Sequence, residues 1–181
     1  MPTLPVTYEE WLEMPITHDA IEEVVNGEIR IRPPNKSPHP ELILELQIAF
    51  LGQLDLKTTL FISSTFGLVI RRKPLTSRSP DIAVFDRATI VQRDGYYHSA
   101  PQLIVEVLSP SETPQELAEK LRDYESIGVP EVWLFNPDPK AVEVLELQNG
   151  RLCRTALLTQ GMLIPKHFPT VQIDIAQIWP E

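Results

Sequence analysis

A single cysteine, Cys153, excludes an internal disulfide and any cysteine-based zinc site. No apolar stretch is long enough to cross a bilayer, and Met1-Pro2-Thr3-Leu4-Pro5 lacks the basic-then-apolar order of a secretory signal. The cytoplasm is therefore the expected location. Basic residues are the minority: 16 Lys and Arg against 25 Asp and Glu give a net charge of −9. That balance argues against sequence-independent electrostatic binding of nucleic acid, although a local field can oppose the average. There is no P-loop, no glycine-rich dinucleotide turn, no Gly-x-Ser-x-Gly elbow and no His-Glu-x-x-His pair. The histidines, at 18, 39, 98 and 167, are scattered, and methionine and aromatic residues are too few to suggest a cofactor box.

What is present reads as one domain over residues 1–181, since neither a repeat nor a linker interrupts the chain. Thr7-Tyr8-Glu9-Glu10 has the capping-box pattern of a short helix. Asn26-Gly27 is a turn between Val24-Val25 and the alternating strand Glu28-Ile29-Arg30-Ile31-Arg32. A helix is expected from Pro38 to about Leu54, with Leu42, Leu46, Ala49, Phe50 and Gln53 on one stripe. Strands are expected at 60–63, 68–71, 81–85 and 103–108, with a turn at Lys73-Pro74 and a hairpin near Arg93-Asp94-Gly95. A second helix spans about Pro114 to Ile127 and stops at Gly128. The strand Glu131 to Phe135 follows, then antiparallel strands around Asn149-Gly150. The expected class is α/β with α+β character, a central mixed sheet flanked by helices and extended by antiparallel C-terminal strands. The basic clusters Arg30, Arg32, Lys36 and Arg71, Arg72, Lys73, Arg78 read as solvated faces.

Three ionisable residues break the pattern. Glu106 interrupts the otherwise aliphatic run Leu103 to Leu108, as in a strand buried on both faces. A buried carboxylate has to be protonated, paired or bound to a cation; the alternative places Glu106 at an open strand end. Asp81 opens a strand with two apolar faces, or serves only as a turn cap. Lys120 shares the inward helical stripe of Leu117, Leu121 and Tyr124, or snorkels past them to water. Taken together, Asp81 and Glu106 can share a divalent cation, Mg²⁺ or Mn²⁺, with Lys120 beside it. Such a group suits phosphoryl chemistry. His39 and Glu23 are candidates for the rim.

These residues carry a resemblance. Pro80-Asp81-Ile82-Ala83-Val84 followed by Glu106-Val107-Leu108-Ser109-Pro110-Ser111 resembles the PD-(D/E)XK nuclease superfamily, and more closely its Uma-type restriction endonuclease family. Further matching pieces are Glu23 to Glu28, Ser37-Pro38-His39, Lys120 with Tyr124, Gly128 to Leu134, and Phe168-Pro169 with 173–178. The resemblance implies a restriction-endonuclease-like core, metal ligation by Asp81 and Glu106, and Glu23 as an accessory catalytic acid. The superfamily lysine normally follows the strand glutamate by two positions, where this chain has Leu108; Lys120 is the implied replacement. Glu22 stands where the family usually has an aromatic residue. The implied activity is Mg²⁺-dependent hydrolysis of nucleic-acid phosphodiesters, DNA foremost, by a chain that cutting two strands would favour as a homodimer. A catalytically inactive module of the same fold, binding nucleic acid or a protein partner, is the alternative.

Overall fold

The computed structural model describes residues 4–15, 20–32, 36–63, 66–110 and 112–180. In chain order the elements are α1 (Tyr8–Leu12), β1 (Ile21–Val25), β2 (Glu28–Arg32), α2 (His39–Leu51), β3 (Thr59–Ser63), β4 (Leu68–Arg72), β5 (Leu75–Arg78) and β6 (Ile82–Asp86). They continue with β7 (Gln92–Arg93), β8 (Tyr96–Tyr97), β9 (Leu103–Val107), α3 (Pro114–Ile127), β10 (Glu131–Asn136), β11 (Ala141–Gln148), β12 (Arg151–Leu158), β13 (Met162–Leu163) and β14 (Ile173–Asp174). The expected mixed α and β class holds. Where one central sheet was expected, however, the described residues form two six-stranded sheets, ordered β12-β11-β10-β9-β6-β3 and β2-β1-β5-β4-β8-β7, and a small β13-β14 pair.

The first sheet is mixed because β9 and β10 run parallel, joined by the crossover helix α3, while its other pairs are antiparallel. Alternation divides its side chains between two cores. Val105, Val107, Ile82 and Trp133 pack with Leu42, Leu46 and Phe50 of α2. Ile104, Ala83, Phe85 and Leu134 face the other way, with Tyr124 of α3 and Leu68 of β4. Glu106, two residues from Ile104, belongs to that second face.

Local chemistry explains the connections. Asn26-Gly27, Asp94-Gly95 and Asn149-Gly150 each place two consecutive residues at positive φ, the requirement of the two-residue hairpin. At α3, Thr113 accepts from the Glu116 amide while the Glu116 carboxylate accepts from the Thr113 amide, the predicted start of a stable helix. Left-handed Gly128 ends it. The inward stripe of α3 differs from expectation: Lys120, Asp123 and Tyr124 are its buried residues, whereas Leu117 and Leu121 are half-buried.

β5 was not expected, because Leu75-Thr76-Ser77-Arg78 has no apolar alternation; yet all four residues are buried. It brings a second correction. Arg78 does not lie on a solvated face: it is 1% exposed, buried between β1 and α3. Asp81 also shifts slightly, standing just ahead of β6 rather than inside it.

Candidate active site

Register brings the first two residues together. β6 and β9 pair antiparallel with Ile82 opposite Val105, so Asp81 and Glu106 follow as neighbours at the strand ends. Asp81 Oδ2 accepts the Val107 amide at 2.8 Å, which fixes the carboxylate against β9. His39 Nε2, at the start of α2, lies 3.2 Å from the same oxygen. Among the described residues no hydrogen bond reaches Asp81 Oδ1.

Glu106 is 3% exposed and is gripped by α3. Lys120 Nζ donates to Oε2 at 3.1 Å, and the Tyr124 hydroxyl donates to Oε1. The two donors are one helical turn apart, so one helix face serves both oxygens. Burial pushes the Glu106 carboxyl up to about 7; the ammonium of Lys120 and the Tyr124 hydroxyl oppose that rise, while Asp81 and Glu112 add to it. Burial alone would lower the Lys120 ammonium, but Glu106, Glu23 and Glu112 more than offset it, so Lys120 stays charged. Tyr124 is pushed upward by burial and by the Glu106 charge, and keeps its proton to donate.

Glu23, on β1, is buried beside these groups. Its Oε2 accepts from Arg78 Nη1 at 3.1 Å and its Oε1 from the Ser79 amide at 3.2 Å. Arg78 is held in turn by Asp123, with Nε donating to Oδ2 at 2.8 Å. Glu23 thus reaches the site with its carboxylate already bound to a buried guanidinium.

Glu23, His39, Asp81, Glu106 and Lys120 line one cleft of about 40 Å³. Arg32 and Glu112 complete its charged lining. That volume accommodates a few waters or a hydrated ion, an order of magnitude below the ~300 Å³ at which small-molecule pockets begin. Hard carboxylate oxygens beside this small polar space fit Mg²⁺ or Mn²⁺. Among the described residues no group of three or more His, Cys, Asp or Glu is placed to hold an ion. Two carboxylates would be the protein's share, with water and substrate supplying the remainder, as is usual for Mg²⁺.

Sequence reasoning did not single out Glu112. Its Oε1 lies 3.0 Å from Lys120 Nζ and 3.8 Å from Arg32 Nη1. Glu112 lies in a polar loop, where an acid gives no signal. Of the other histidines, His98 packs on Tyr8 and does not line the cleft. His18 and Ser111 lie outside the described residues.

The mixed sheet, with α3 crossing between its parallel strands β9 and β10, brings Asp81, Glu106 and Lys120 to one cleft. The chain belongs to the Uma2 family, described as "Putative restriction endonuclease", whose family model matches residues 8–176. Among solved structures it is similar to a "putative nuclease belonging to DUF820" from Anabaena variabilis, with a TM-score of 0.77 and 20% identity over 97% of this chain and 98% of that one. That likeness speaks for the fold. No curated protein matches the sequence. No helix among the described residues is long and apolar enough to cross a membrane.

Proposed function

We propose that this chain, acting as one domain, is a metal-dependent endonuclease that hydrolyses nucleic-acid phosphodiester bonds, with DNA as the foremost substrate. The observation that carries this reading is the juxtaposition of Asp81, Glu106 and Lys120 on one face of the sheet, around a cleft sized for an ion and water. Asp81 and Glu106 would hold Mg²⁺ or Mn²⁺, which supplies charge neutralisation for the phosphate and acidifies the attacking water.

The chain's own residues do the remaining work. The Val107 amide and His39 orient Asp81. Tyr124 and Lys120 fix Glu106, and Lys120 contributes positive charge where the pentavalent phosphorus would gather negative charge. Glu23, tied to Arg78, acts as an accessory acid that adds negative potential and shapes the wall. A homodimer would let two such sites cut two strands.

The test is a cleavage assay on duplex DNA, single-stranded DNA and RNA with Mg²⁺ or Mn²⁺. Asp81→Asn and Lys120→Met are each expected to lose at least about 100-fold in rate while keeping the native circular dichroism spectrum. Cleavage by the variants at the wild-type rate would remove the assignment. One observation favours a catalytically inactive binding module instead: both Glu106 oxygens already accept hydrogen bonds. Such a module would bind nucleic acid equally well as Glu106→Gln, with no metal-dependent product.

A further inference from the structure

Arg32 ends β2 and reaches the cleft from the hairpin side, with 29% of its side chain exposed. Its Nη2 donates to Glu116 Oε1 at 3.1 Å, and its Nη1 lies 3.8 Å from Glu112 Oε1. The same Glu112 oxygen is 3.0 Å from Lys120 Nζ. A single carboxylate oxygen therefore sits between a guanidinium from the hairpin and an ammonium from α3. The Glu112 side chain is only 8% exposed.

We propose that Arg32 and Lys120 form a seat for one phosphate group of the substrate, and that Glu112 fills this seat as an internal anion until the phosphate displaces it. The proposal rests on the phosphodiester reading above and names a binding residue, Arg32, that the reading did not contain. Three physical points support it. An anionic oxygen between two cations is common to the carboxylate and to phosphate, and the guanidinium fork suits phosphate well. Exchanging one anion for another never leaves the cations of the cleft buried without a partner. Glu112 is also free to leave: it precedes the helix cap, and the reciprocal Thr113–Glu116 bonds start α3 without it. Glu116 meanwhile keeps its bond to Arg32, so the guanidinium stays in position.

The experiment uses the full chain in chelator, with a short fluorescein-labelled DNA duplex followed by anisotropy and inorganic phosphate followed by thermal unfolding; a parallel series without chelator follows the unfolding midpoint against Mn²⁺ concentration. Glu112→Gln is expected to bind the duplex about tenfold more tightly than wild type, since the competing charge is gone. Arg32→Gln is expected to weaken binding and to reduce the slope of log affinity against log salt by about 1. Phosphate is expected to raise the unfolding midpoint most in Glu112→Gln and least in Arg32→Gln.

Equal duplex affinity for Glu112→Gln and wild type overturns the proposal. If only the phosphate response changes, the site takes free phosphate rather than nucleic acid, and the proposal again fails. A simple tie between hairpin and helix would show itself as a lower midpoint in Glu112→Gln with no gain in affinity. Failure here is distinct from failure of the metal reading. A wild type that responds to Mn²⁺ while Glu112→Gln gains nothing loses the seat alone; a gain in Glu112→Gln without any Mn²⁺ response keeps the seat and removes the hydrolytic reading.

Discussion

Glu106 lies on β9 with 3% of its surface exposed, and burial lifts its carboxyl from 4.5 to about 7. A carboxyl whose folded pKa is raised binds its proton more tightly in the native state. Its contribution to stability is full below about 4.5 and is lost as pH rises through about 7. Without metal, the stability of wild type relative to Glu106→Gln is therefore expected to fall between pH 5 and pH 8, by on the order of 3 kcal/mol. Thermal or urea unfolding of both proteins in chelator measures this; a constant difference across that range would show that Glu106 ionises without cost. Glu106 was legible in the sequence because a charge inside an aliphatic run has few physical explanations. Lys120 was legible through helical spacing. Glu112 was not, since nothing in a polar loop distinguishes a carboxylate facing two cations from one facing water.

At the level of elements, the site depends on how β1, β5 and α3 are held together. Arg78 of β5 bonds Glu23 of β1 and Asp123 of α3, all three side chains buried. Arg78→Met would leave the buried Glu23 carboxylate without its guanidinium and Asp123 with Arg71 alone, a change of the kind that typically costs 3–5 kcal/mol, here taken as about 3 kcal/mol. Urea unfolding is expected to show that loss, while an effect below about 1 kcal/mol would mean that water replaces the guanidinium. The helix that supplies Lys120 and Tyr124 is secured separately. Thr113→Ala removes one half of its cap, with an expected cost of about 1 kcal/mol in the same measurement; an unchanged midpoint would mean that α3 is held by packing alone. Most elements could be read from turn and cap chemistry, as at Thr7, Asn26-Gly27 and Gly128. β5 could not. Its burial depends on β1, distant in sequence, as well as on the adjacent β4, and Thr76 and Ser77 are buried for their backbone pairing rather than for apolar side chains.

On the scale of the whole molecule, a net charge of −9 sets this chain apart from proteins that hold nucleic acid by charge alone. The cleft adds to the problem: Glu23, Asp81, Glu106 and Glu112 line it against Arg32 and Lys120. A divalent cation would offset that acidic excess and make the approach of a phosphate favourable, so metal and substrate binding are expected to reinforce each other. The central claim is that Asp81 and Glu106 form the site for that cation, and it can be tested without knowing the substrate. The measurement is the unfolding midpoint of wild type and Asp81→Asn against Mn²⁺ and Mg²⁺ concentration. A ligand that binds only the native state stabilises it by about 2.7 kcal/mol at a hundred times its dissociation constant. The predicted result is a midpoint that rises with metal in wild type and stays flat in Asp81→Asn. Equal responses in the two proteins, or none in either, would contradict the account.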